Sequence, residues 1–359
     1  MYVDNGTISN RQTFRLYVFD LMGIATLLLP PYLAKLCGAD GIFAILGGSL
    51  LGVGYLLYLG WIIRRMRMDL CSYLEKYSPL WIRKFVYILI FLHSIFTTGF
   101  CAYVFTNLMR YSLVKEVSFE LVLLVTIVVA AYAVLGGLEG RARVYEVMFW
   151  FVLVPYAGMM LASVRNCELV YLDNFFNTST KNILEGSYLV FLFLTPLFFS
   201  LFLIEEKEKS SKKTIVKTMF FALVVSAGIL LGSYVLLLAN FGEKALSSLK
   251  YPVITLMSTV QFEGNFLKRM DAIMLVIWFF TLYALLNLHM HYGTKMIKKL
   301  SQKNRPWQVL IGAVLAYFIA YGMRYQTQLV EYFVDYYSYV AVPLMIIGPA
   351  LLLIRRKKR

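Results

Sequence analysis

Few side chains in this sequence can do more than pack. The first is Asp20, set in the apolar run Phe19-Asp20-Leu21-Met22-Gly23-Ile24-Ala25-Thr26-Leu27-Leu28-Leu29-Pro30-Pro31. At the middle of a hydrocarbon layer an unpaired carboxylate costs about 2.5–3.5 kcal/mol on insertion scales. Two readings follow: Asp20 faces an amine or a cation where the helix is broken, or it bonds to a neighbouring helix. Gly23, Ala25 and Thr26 beside it allow the backbone to unwind or a second helix to come close. A second irregularity is Phe193-Leu194-Thr195-Pro196. Pro196 cannot donate a backbone hydrogen bond and frees the carbonyl one turn earlier, giving a binding-site break or a plain kink. His93 and Thr97 lie four apart and share a helical face, as do Asn287 and His291. For these, and for Glu146, interhelical hydrogen bonding is the simplest role. His289 and His291 are expected near a cytoplasmic end, at interface water.

Other chemistries lack their signatures. No HExxH, GxSxG, GxxxxGK[ST] or post-strand GxGxxG is present, so no enzyme, catalytic residue or cofactor is expected. No carboxylate stands at metal-ligand spacing beside the histidines, and Cys37, Cys71, Cys101 and Cys167 form no CxxC, so no metal site is expected.

These residues must be positioned by elements suited to lipid. Of 359 residues, 60% are apolar and 15% charged, with a mean hydropathy of +0.69. That leaves too little polar surface to clothe a soluble core, and excludes an ordinary cytosolic enzyme, a disordered chain and a disulfide-stapled module. Apolar blocks long enough to span occur at 12–33, 41–63, 83–109, 119–137, 143–163, 184–204, 215–239, 271–293, 307–323 and 336–354. The expected fold is all-α integral membrane, with about ten transmembrane helices, arranged as a 5+5 inverted repeat with helices one and six broken. The chain 1–359 reads as one polytopic domain: 1–163 is the first five-helix half, 184–354 the second, and 240–270 an outer loop with a re-entrant or interfacial segment.

The net charge of +15 belongs to topology, not to nucleic acid, because the basic residues cluster between apolar blocks. The N-terminus and every second loop hold 25 Lys and Arg against 10 in the others, which places both termini in the cytoplasm. Glu205-Glu206-Lys207-Glu208-Lys209 reads as a solvated helix end, and Tyr332 to Tyr339 as an outer-surface aromatic belt.

Several segments together resemble the spore germination permease family, the B-type integral-membrane subunit of nutrient germinant receptors and a branch of the amino acid–polyamine–organocation transporters. Ile8-Ser9-Asn10-Arg11-Gln12 followed by Gly23 to Pro30 is similar to the family's "I-S-x-R-Q … G-x-x-x-L-x-L-P". Gly137-Leu138-Glu139-Gly140-Arg141-Ala142-Arg143, then Glu146, resembles "G-x-E-x-x-x-R-x-x-E". The most specific piece is Tyr251-Pro252-Val253, Phe262, Phe266 to Ala272 and Trp278; Tyr339 to Pro343 with the basic end Arg355 to Arg359 also fits. The sequence departs from the family at Gly23-Ile24-Ala25, where Gly-Thr-Gly is frequent, and at Thr195-Pro196-Leu197, where a Gly-x-Glu element is frequent.

The resemblance implies a transporter-like receptor in a bacterial spore inner membrane or cell membrane. A small nutrient such as an amino acid is expected between helices one, three, six, eight and ten. The expected ligand residues are Asp20, Gly23, Ile24, Ala25, Thr26, His93, Thr97, Thr195, Pro196 and Asn287. Expected partners are a lipoprotein subunit, a large-headed membrane subunit and the lipid bilayer. An ion-coupled amino acid transporter and a membrane scaffold for partner subunits remain as alternatives.

Overall fold

The computed structural model describes residues 7–112, 116–172, 175–204, 212–259, 270–303, 305–325 and 329–354. The run 205–209, Phe262, Phe266 to Arg269 and the basic end 355–359 lie outside the described residues.

Helices account for the backbone because hydrocarbon leaves every N–H and C=O to be satisfied within its own segment. Spans one to five are α1 (Asn10–Cys37), α2 (Gly41–Met66), α4 (Leu80–Ser112), α5 (Phe119–Leu135) and α6 (Gly137–Ser163). The short α3 (Leu70–Tyr77) lies between α2 and α4. Span six is α7 (Thr180–Leu192) continued by a 3₁₀ segment, Thr195–Phe202. Span seven is α8 (Lys212–Ser248), interrupted at Gly242 by φ 70°. After α9 (Pro252–Thr259), spans eight and nine are α10 (Met270–Ser301) and α11 (Trp307–Gly322). Span ten is α12 (Leu329–Tyr336), a π-helical turn Tyr337–Ala341, and α13 (Val342–Ile354). Among the described residues the fold is all-helical, and the spans agree with the expected count of about ten.

Helix one differs from expectation. It is a continuous α-helix of 28 residues and runs through Pro30 and Pro31 without a break. It starts at a capping box, in which Ser9 accepts from the Gln12 N–H and the Gln12 side chain accepts from the Ser9 N–H. Its middle is held by close packing. A Cβ added at Gly23 would stand 2.8 Å from the Thr281 carbonyl of α10. Of the two uses of small residues, the structure takes close approach, and the tight seat of α1 against α10 leaves no room for unwinding.

Helix six does break. Pro196 cannot supply the donor that the Leu192 carbonyl expects, and the Thr195 hydroxyl donates to that carbonyl instead at 2.7 Å. The chain then tightens into eight residues of 3₁₀ helix, a length that is uncommon outside hinges.

The α1–α2 connection is tied to the loop before α7. Buried Asp40 accepts from the N–H groups of Phe176 at 2.7 Å and Thr178 at 2.9 Å, which satisfies its charge locally. Within 240–270, the described residues include α9, which buries Val253, Ile254, Leu256 and Met257 against its neighbours.

Candidate ligand-binding site

The break in span six brings one group of predicted residues together partway along the helices. Thr97 of α4 shares a hydrogen bond of 3.1 Å with the hydroxyl of Tyr337, the first residue of the π-helical turn. The Thr195 hydroxyl lies beside the same phenol. One turn back along α4, His93 Nδ1 meets the Tyr336 hydroxyl at 3.2 Å. Its ring is parallel to that of Tyr336 and edge-on to His289 at 5.7 Å between centroids. His289 Nδ1 faces the Leu285 carbonyl at 3.0 Å. A carbonyl only accepts, so Nδ1 carries the proton and Nε2 presents a lone pair. His93 Nε2 and His289 Nε2 are both buried without a hydrogen-bond partner.

Such orphans are expensive. A buried polar atom left unpaired costs about 1–3 kcal/mol, so two ring nitrogens side by side mark a place where a polar guest would be compensated. Aromatic rings enclose them. Phe199 of the 3₁₀ segment stands edge-on to His289 at 5.1 Å. Phe333 stacks on Phe100 at 4.1 Å and touches Tyr337 at 4.2 Å and Phe193 at 5.6 Å.

The predicted residues of helix one sit differently. Asp20 forms a buried ion pair with Arg141 of α6, and the same Arg141 nitrogen donates to the Ala284 carbonyl of α10 at 3.0 Å. The Arg141 guanidinium thus links α6 to α1 and α10. Ile24, Ala25 and Thr26 are buried, and the Thr26 hydroxyl donates back to the Met22 carbonyl at 2.7 Å. Asn287 lies apart from the cluster, beside Arg141, Tyr145 and Tyr283 on a cavity of about 500 Å³. Pro196 is buried at the start of the 3₁₀ segment.

The first turns of α1 are also pinned. Glu146 of α6 takes Arg11 at 2.5 Å and the Gln12 amide at 2.9 Å, both from the first turn of α1. Arg15 donates to the Glu146 carbonyl at 2.9 Å.

Three corrections to the sequence reading follow. His289 is 1% exposed and packs at the centre of the cluster; it does not touch interface water. Tyr337, read as part of a surface belt, is 2% exposed, because the π-helical turn rotates it inward. Arg141, noted only as a motif residue, is the partner of Asp20. No signal in the sequence paired the two, because Arg141 falls in the connection between the apolar blocks 119–137 and 143–163 and joins the membrane-buried structure only through the early start of α6.

The comparisons with known proteins agree with this architecture. The solved structure of a substrate-bound, outward-open Na⁺-coupled sialic acid symporter superposes with a TM-score of 0.72, covering 97% of this chain and 79% of that one at 11% identity. That likeness establishes a transporter fold. Two proteins of Bacillus subtilis (strain 168) are similar in sequence. Spore germination protein A2 is 21% identical over 310 residues, and spore germination protein B2 is 25% identical over 322. Each match covers 85% of this chain and 83% of the relative. A third, spore germination protein YndE of the same organism, is 19% identical and spans 100% of this chain. The family model described as "Spore germination protein" matches residues 7–328, nearly the whole chain, and this integral membrane protein therefore belongs to the spore germination permease family.

Proposed function

We propose that the chain is the transporter-like membrane subunit of a nutrient germinant receptor, which senses a small nutrient such as an amino acid and triggers germination. The observation that carries this reading is the polar cluster at the helix-six break. There the hydroxyls of Thr97, Thr195 and Tyr337 stand near two unpartnered histidine nitrogens. An ammonium can donate to His289 Nε2 and to the second lone pair of the Leu192 carbonyl, and a carboxylate can accept from the Thr97 and Tyr337 hydroxyls. On this reading Gly23, Ile24, Ala25 and Thr26 of helix one supply the opposing wall. Asp20, held by Arg141, orients that wall, and Asn287 lies behind it. A receptor needs two states that its ligand binds unequally. Parting of the Phe100–Phe333 stack, with movement of the 3₁₀ segment, is the change that admits a guest.

The basic-residue distribution supports cytoplasmic termini, in a spore inner membrane or cell membrane. A lipoprotein subunit and a large-headed membrane subunit are the partners this role calls for. The transporter fold favours one second reading, a proton- or sodium-coupled amino acid carrier. Reconstituted protein separates the two: saturable binding without net uptake supports a sensor, and sustained uptake supports a carrier. If Thr97→Val and Thr195→Val leave the nutrient response unchanged while partner subunits persist, the chain is a scaffold and the sensing role fails.

A further inference from the structure

A cavity of about 550 Å³ opens at the end of the molecule opposite the Arg11–Glu146 contact. Its walls come from the last turns of α1, the second half of α4, the residues joining α8 to α9, and the first turn of α12. Most of the lining is apolar or aromatic, but three charges face it: Lys35, Lys250 and Glu331. All three side chains are exposed, and among the described residues none of them forms an ion pair. Lys250 lies over the Tyr251 ring at 5.5 Å, and Glu331 is within electrostatic reach of Tyr32. The inner lining includes Phe100, the ring that stacks on Phe333 above the polar cluster.

Three unpaired charges of both signs in one recess do not serve packing, since each would be as well solvated on an open surface. Low-dielectric walls focus their fields into the recess and enrich complementary solutes there. Two cations and one carboxylate favour a solute that carries both signs. A simple cation meets two lysines, and a simple anion meets Glu331. A small zwitterion places its carboxylate at Lys35 and Lys250 and its ammonium at Glu331. The volume falls within the roughly 300–1,000 Å³ usual for small-molecule clefts.

We propose that this vestibule is a capture site for small zwitterions, occupied before the polar cluster and separated from it by the Phe100–Phe333 stack. The proposal deepens the nutrient-sensing reading and rests on it. The test is equilibrium dialysis of the purified full chain in lipid nanodiscs, with each of the common amino acids in labelled form as probe. Any amino acid that binds is then repeated as its methyl ester and its N-acetyl derivative. Glu331→Gln and the double variant Lys35→Gln, Lys250→Gln should each weaken binding about tenfold or more, equivalent to about 1.4 kcal/mol. The charge-keeping Glu331→Asp and Lys35→Arg should stay within threefold of the unaltered chain, and both derivatives should bind at least tenfold more weakly than the free amino acid. Arg11→Gln, at the opposite end of the molecule and outside both sites, should retain this binding. The capture site is overturned if the charge-removing variants bind within twofold of the unaltered chain, if Arg11→Gln weakens binding as much as they do, or if no amino acid binds. A separate arm isolates the underlying reading: if spores lacking the chain respond normally to nutrients, the germination role fails whatever the dialysis shows.

Discussion

The first and sixth spans both carry proline in their membrane interior, yet only one breaks. Helix one passes through Pro30 and Pro31, which cannot donate to the Thr26 and Leu27 carbonyls, and stays α-helical for 28 residues. Helix six gives way at the single Pro196. The difference lies in what surrounds each proline. Helix one is capped at its start, seated on the Thr281 backbone at Gly23, and linked through Asp20 and Arg141 to α6 and α10. Those contacts fix its axis ahead of the missing donors, and beyond them the Leu36 and Cys37 carbonyls accept from the Asn182 amide at 3.1 Å and the Thr178 hydroxyl at 2.9 Å. Helix six has only 13 α-helical residues before the break, and the Thr195 hydroxyl supplies the lost hydrogen bond without helical geometry. A proline shows where a donor is absent; packing and substitute donors decide whether the backbone turns aside. On this comparison helix one is the frame and helix six is the element that responds.

The largest effect is expected where the frame is bolted. Asp20→Asn leaves Arg141 buried without a counter-charge and should cost about 3–5 kcal/mol, read as a lowered Tm in detergent. Asp20→Asn combined with Arg141→Gln should recover most of that loss. A single variant as stable as the unaltered chain would remove the bolt from the comparison. Gly23→Leu forces a side chain into the Thr281 backbone and should cost about 1–3 kcal/mol, with the nutrient response abolished. A normal response would show that helix one and α10 can separate freely.

Thr195→Val tests the responsive element, because it strands the Leu192 carbonyl. A loss of about 1–3 kcal/mol is expected, together with a shifted dose–response. Pro196→Ala should change stability by about 1 kcal/mol or less while altering the response, since a backbone donor returns and competes with Thr195. Unaltered signalling would make the break a passive kink. The smallest effect is expected at Arg11→Gln, where the ion pair with Glu146 has an arginine side chain 72% exposed. Its contribution should be about 0–1 kcal/mol and fade at high salt.

Much of the fold was readable in advance, because spans announce themselves by length and apolarity, and the Pro196 break by its chemistry. His93 and Thr97 were readable as one face of a helix. The continuity of helix one was not, since it depends on a contact with Thr281, more than 250 positions away along the chain. Nor was the inward turn of Tyr337, which arises from one π-helical turn that no local composition marks. His289 stands near the end of the apolar block 271–293, which points to the interface, whereas α10 runs on to Ser301 and buries it. Asp20 was recognised as costly, but its partner lies on another helix that only the packing identifies.

The most direct measurement is an experimental map of the receptor with and without its nutrient. The expected result is extra density touching Thr195, Thr97 and His289, with the 3₁₀ segment of helix six displaced and α1 unchanged. Density seated elsewhere, or a helix six that is α-helical throughout in both maps, would contradict the assignment of sensing to the break.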